Sequence, residues 1–370
     1  MNYPPQGPPP GNYGPPQGHP GQWGPPPQQP LWPSQQWPPG PPPKKRNGWK
    51  WALGAAALLA VIGVTAAVTI SVTSGGGDKD SIPPQDTYGL ASADDKAPAD
   101  VITEDPTCAA WSPINDTLAA VLTDGWDELD PKLAATDWTP EERLKYEEVG
   151  QALEAAAEQS VRLAKETPNR AMRELYEQFI AYARAFTDAI PSYTASDNHL
   201  ATTAVAITHA LVHICSAITY KSAQARSLLV DPPISPTETA RLSDPSAPRR
   251  FMTAPDPTCD SWDRVLREFN DNTKDWQKID KSVPATEWTP DQRAVVDGVI
   301  PTMAALADDL DKLGLKTENP ILQDLALMAA QYRRAHIASL RTYQPADNYL
   351  DRASFRLSSV IFEACKAARA

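Results

Sequence analysis

Hydrophobic positions fall along this chain in two different patterns. From Trp51 to Val72 there are 22 residues without a charge, among them Leu58, Leu59, Val61, Ile62 and Val68. A helix of that length covers about 33 Å, enough for the ~30 Å hydrocarbon layer of a bilayer. The pattern predicts a transmembrane helix over 49–73. Farther on, the apolar residues become periodic. Met172, Leu175, Phe179, Tyr182 and Phe186 are spaced by 3, 4, 3 and 4, and Leu200, Ala204, Ile207, Leu211, Ile214 and Ile218 by 4, 3, 4, 3 and 4. Stripes of this kind bury one face of a helix in a bundle. Leu322, Leu325, Ala329, Tyr332 and His336 draw another. No part of this region sustains the two-residue alternation of a strand.

The stripes recur because the sequence repeats itself at an offset of about 150 residues. Asp105-Pro106-Thr107-Cys108 returns as Asp256-Pro257-Thr258-Cys259, and Ala135-Thr136-Asp137-Trp138-Thr139-Pro140 as Ala285-Thr286-Glu287-Trp288-Thr289-Pro290. Trp111, Trp126, Tyr182, Arg184 and Cys215 return as Trp262, Trp276, Tyr332, Arg334 and Cys365. Each copy reads as four helices. The second helix of each opens on a capping box with proline at its first position, Thr139-Pro140 with Glu142 and Thr289-Pro290 with Gln292. Trp138 and Trp288 precede these boxes and are expected to stack on Arg143 and Arg293. Pro301 is expected to kink the second helix of copy two.

In an up-down-up-down bundle the first helix begins where the fourth one ends, and each copy keeps its two cysteines at those places. The expected pairs are Cys108 with Cys215 and Cys259 with Cys365, the one pairing of three that stays within each copy. The predicted fold is therefore all-α: one transmembrane helix plus two tandem up-down four-helix bundles, each closed by a disulfide, over 105–230 and 256–370.

Composition fills in the rest. Residues 1–48 are rich in Pro, Gly and Gln with scattered aromatics, which predicts a disordered tail inclined to polyproline II. Residues 74–104 read as a flexible tether and 231–255 as a Pro- and Ser-rich linker that leaves the bundles free to move. Charge is split. Residues 1–77 hold +4, from Lys44, Lys45, Arg46 and Lys50, while the remainder sets 30 basic against 46 acidic residues. Cations just before the span put the N-terminus in the cytoplasm of a plasma-membrane protein and the bundles outside. Disulfides need the same oxidising side. A cleaved signal peptide would have a shorter apolar stretch and a far shorter leader. So acidic an exterior repels phosphate backbones, which argues against a nucleic-acid partner.

Candidate chemistry is sparse. There is no phosphate-binding glycine loop or nucleophile elbow, so no catalytic or cofactor-binding residue is expected. His209 and His213 are spaced i, i+4 like a pair of metal ligands, but Ala210 stands where a zinc protease carries Glu, and copy two has Ser359 and Glu363 instead. These two point away from the bundle centre and are weighed mainly as exposed or inter-domain histidines, with no metal expected. Arg184 and Arg334 lie off the core stripes; an ion pair to a neighbouring helix or linker is the plain reading and a ligand carboxylate the functional one. Asp197-Asn198 and Asp347-Asn348 precede the fourth helices and read as caps, or as a loop-borne recognition pair.

With its proline-rich tail, basic cluster, single span and Cys-bounded helical exterior, the chain resembles the proline-rich conserved membrane proteins of mycobacteria and related actinobacteria. That resemblance implies an envelope setting and no activity. The leading expectation is a non-enzymatic, membrane-anchored interaction protein that meets an envelope protein or component outside and a cytoplasmic partner through its tail. Alternatives are a cell-wall or lipid-acting enzyme with a site between the bundles, a sensor or co-receptor needing a separate output partner, and a structural spacer.

Overall fold

The computed structural model describes residues 87–236 and 238–369. The expected tail, membrane span and first part of the tether lie outside the described residues. Within them the structure is helical, with no strand. Copy one contains α1 (Cys108–Leu122), α2 (Pro140–Glu166), α3 (Arg170–Ala189) and α4 (Asn198–Thr219), followed by a short α5 (Ser222–Ser227). Copy two contains α6 (Cys259–Asn272), a one-turn α7 (Lys274–Gln277), α8 (Pro290–Gly314), α9 (Pro320–Ser339) and α10 (Asn348–Ala367). In each copy the four long helices pack up and down around an aromatic and aliphatic core, and α8 continues through Pro301.

The local signals act as their chemistry dictates. Thr139 accepts from the Glu142 N–H while the Glu142 carboxylate accepts from the Thr139 N–H, and Thr289 and Gln292 do the same. Arg143 and Arg293 lie 5.5 and 6.0 Å from the rings of Trp138 and Trp288. Each also donates to the carbonyl of Ala135 or Ala285, fixing the loop that leads into the helix. The repeated Asp-Pro-Thr-Cys has a structural task too. Asp105 accepts from the Thr107 N–H and from Thr167 Oγ1 in the α2–α3 turn, and Asp256 accepts from Thr258 and Thr317 in the same way. Cys108 and Cys215 are bonded with Cα atoms 5.3 Å apart, Cys259 and Cys365 with Cα atoms 5.5 Å apart. Each bridge ties the first helix to the fourth.

Ala195–Thr219 is long and apolar enough to cross a membrane by length and composition. Its apolar side chains are spent on the bundle core and on copy two, and Cys215 holds it to α1, so its hydropathy is that of a core helix.

Two segments differ from the sequence reading. The main hydrophobic core runs through both copies, with a second, smaller cluster around Trp276, Trp288 and Tyr343 inside copy two, and the chain between the copies is docked rather than loose. Leu90, Ala99, Val101 and Ile102, all assigned to the tether, are buried. The Ile102 N–H donates to Tyr332 Oη on α9 at 3.2 Å, and the Tyr182 hydroxyl on α3 donates to the carbonyl of Met252 at 3.4 Å. The strap before copy one thus crosses the third helix of copy two, and the strap before copy two crosses the third helix of copy one. These segments look like linkers because the bonds that dock their backbone come from side chains far away in sequence and leave no local periodicity.

Candidate functional site: the seam between the copies

The seam is built mainly from α4 and α10, which lie antiparallel. His199 Nδ1 is 2.9 Å from Glu363 Oε2, which also accepts from Thr202 Oγ1. At the other end the rings of His213 and Tyr349 lie 6.2 Å apart, and Tyr349 stacks on Tyr220 at 5.2 Å. One position of His199 in copy one matches Tyr349 in copy two, and His213 matches Glu363. The contacts therefore exchange partners, as across a two-fold axis.

His209 and His213 face this seam, so the structure places them between domains. Burial pushes His209 down to about 4 and His213 to about 3, with Arg356 across the seam adding to both shifts. Burial also brings Arg356 down to about 10. A guanidinium beside two neutral imidazoles is a poor setting for a metal cation. No group of three or more metal-ligating side chains occurs among the described residues.

A second, charged part of the seam joins α3 to α9. Arg170 grips Asp324 with two bonds, Nε at 2.7 Å and Nη2 at 3.0 Å, and its Nη1 donates to the carbonyls of Asp95 and Ala97 on the first strap. Arg173, Glu174 and Glu177 are buried beside it at longer ion-pair distances of 3.6 and 3.8 Å. Burial raises the Glu174 carboxyl well above its usual range and Glu177 to about 7, with Arg173 opposing the Glu177 shift. These groups were missed in the sequence because the apolar stripe of α3 accounts for one face only. From Arg170 to Ala183 every residue of α3 is buried, since copy two and the second strap cover the face a lone bundle would leave in water.

Arg184 and Arg334 stay apart from each other. Arg184 binds Glu154 on α2 and the carbonyl of Ser246 on the second strap, while Arg334 binds Asp308 and Asp311 on α8. Asp197 and Asp347 give α4 and α10 no side-chain cap, but each closes the capping box of the one-turn 3-10 helix just before them, Ala195–Asp197 and Pro345–Asp347. Each folds back to accept from the N–H three residues earlier, at Thr194 or Gln344. Asp347 is also held across the seam by Arg226 of α5, with bonds of 3.0 and 2.8 Å. Asn198 and Asn348 begin α4 and α10 beside these aspartates, and Asn348 Oδ1 is buried without a partner among the described residues.

The profile of the family described as "Mycobacterial ESX-1 associated protein" matches residues 90–369. The chain belongs to that family. The family's matched region begins at Leu90, where the first strap enters the core, and ends within the last turn after α10, so straps, bundles and seam fall inside it. An uncharacterized protein of Mycolicibacterium smegmatis (strain MKD8) is 49% identical over 343 residues, covering 91% of each chain. No solved structure matches. The mycobacterial setting implied by the layout of the sequence agrees with both similarities.

Proposed function

We propose that this protein is a membrane-anchored interaction protein of the cell envelope that works alongside the ESX-1 secretion system, with the two-bundle body as its binding part outside the membrane. The observation that carries this reading is the pair of disulfides, one lacing each bundle, because such bridges persist in an oxidising compartment. The family's description supplies the association with ESX-1. The apolar stretch at 49–73, preceded by its cations, supplies the anchor and orientation, and the proline-rich tail is left to meet a cytoplasmic partner. The shared core and crossed straps suit a body that presents one fixed surface.

The test combines topology and partners in intact mycobacterial cells. Protease added outside should remove an epitope placed after Ala370 and spare one placed before Met1. Crosslinking should recover ESX-1 components with the full chain. A shielded C-terminal epitope, or four cysteines that alkylate without reductant, contradicts the proposed orientation. Recovery of no ESX-1 component contradicts the association.

A further inference from the structure

Copy two carries a groove between α8 and α9, edged by residues 229–234 and enclosing about 570 Å³. Exposed aliphatic side chains collect there. Leu229 is 59%, Ile234 67% and Leu315 49% exposed, and Leu228, next in sequence, is 89% exposed. Grouped aliphatics facing water mark a contact surface more than single scattered ones do.

The internal repeat acts as a control on what the fold requires. Counting back 150 residues, Leu315 corresponds to Lys165, Leu327 to Glu177, Ile337 to Thr187 and Ala304 to Glu154. The same helical pair forms in copy one with polar groups at these places, so the bundle does not need aliphatics there. Two positions change in the opposite sense: Val161 becomes Asp311 and Ala181 becomes Gln331. Both new residues line the groove, and both leave an acceptor unpaired among the described residues. Asp311 Oδ1 and Gln331 Oε1 are buried without a donor, while Asp311 Oδ2 is held by Arg334 at 2.7 Å. A buried acceptor without a donor is costly and calls for one from elsewhere. Asp231, Asp308 and Asp311 also outnumber Arg334, the one cation lining the groove among the described residues.

We infer that this groove docks an amphipathic helix of a partner protein, its aliphatic face on Leu229, Ile234, Leu315 and Ile337 and a Lys or Arg donating to Asp311 and Gln331. A groove between two helices with spaced aliphatic contacts is the usual seat for such a helix. The inference rests on the interaction role proposed above and names the chemistry of the partner.

A photo-crosslinking residue placed at Ile234 of the full chain, in mycobacterial cells, tests it, with Leu144 of copy one as the exposed control position. The expected result is an adduct at Ile234, absent at Leu144, that maps to a segment of another protein with aliphatic residues at helical spacing and at least one Lys or Arg. L315K and D311V, which install the residues of copy one, should each lower the yield about tenfold while leaving the melting curve in place. With the full chain in nanodiscs, a leucine-faced peptide flanked by Lys should bind about tenfold more tightly than its Glu-flanked counterpart, and D311V or Q331A should erase the difference. An adduct to a second copy of the chain, to its own residues 74–86 or to an acidic segment overturns the inference, as does equal binding of the two peptides. Adducts found only elsewhere on the body overturn the groove and leave the interaction role standing. No adduct from any position on the body removes both.

Discussion

His199 of copy one and Glu363 of copy two meet at 2.9 Å across the seam, and the residues matched to them by the repeat, Tyr349 and His213, meet at the opposite end of the same helix pair. This exchange makes the body a covalently linked pseudo-dimer. Duplication supplied two bundles, and the packing of fourth helix on fourth helix joined them as an isologous interface joins two subunits.

The crossed straps should open together with the seam. Tyr332→Phe removes the acceptor of the Ile102 N–H, and Tyr182→Phe removes the donor to Met252. Each should cost about 1 kcal/mol. Hydrogen exchange followed by residue should show faster exchange at Ile102 in Tyr332→Phe and unchanged protection in the middle of α2. Slow exchange at Ile102 in that variant would mean that the strap is held by packing alone.

Arg170 and Asp324 are both buried, so removing either strands the other. Arg170→Met and Asp324→Leu should each destabilise by about 3–5 kcal/mol, and the double substitution by clearly less than their sum. Urea denaturation of the four proteins in the cycle measures the coupling. Additive losses would show that the pair contributes no specific interaction.

Each disulfide closes more than 100 residues. Replacing Cys108 and Cys215 by serine should lower stability by roughly 2–5 kcal/mol, and replacing Cys259 and Cys365 should do the same. Because the main core runs through both copies, either loss should move a single unfolding transition of the body in calorimetry. Two separate transitions would mean that the bundles unfold independently.

Acid should loosen the seam through its histidines. His209 and His213 sit near 4 and 3 in the folded protein against 6.5 unfolded. As pH falls below 6.5, the unfolded chain takes up protons that the folded one refuses. Stability is lost at up to ~1.4 kcal/mol per pH unit for each histidine down to its folded value. Glu177 works in the opposite sense. Its carboxyl is raised from 4.5 to about 7, so its contribution is present at low pH and disappears as pH rises through that window. In melts between pH 7 and 4.5, His209→Asn with His213→Asn should flatten the acid slope, and Glu177→Gln should steepen it. An unchanged slope in the histidine variant would place the sensitivity elsewhere.

The helical fold of the described body was readable because its signals are local. Thr139-Pro140 with Glu142 marks a helix start wherever the chain goes, apolar residues at spacings of 3 and 4 mark a buried face, and two cysteines at the ends of a four-helix copy have one sensible pairing. The same periodicity puts His209 and His213 on the side away from their own bundle's centre. What lay on that side could not be read.

The sequence by itself determined the helices, their duplication and the bridges, since each depends on residues close in the chain or on the end-to-end geometry of one bundle. The tertiary structure decided how the copies meet. Arg170 finds Asp324 at a separation of 154 residues, His199 finds Glu363 at 164 and Ile102 finds Tyr332 at 230. No periodicity encodes such contacts, because they follow from the shape two folded bundles present to each other. A segment pinned at Ile102 by a side chain so far away has the composition of a linker and buried residues like those of a core.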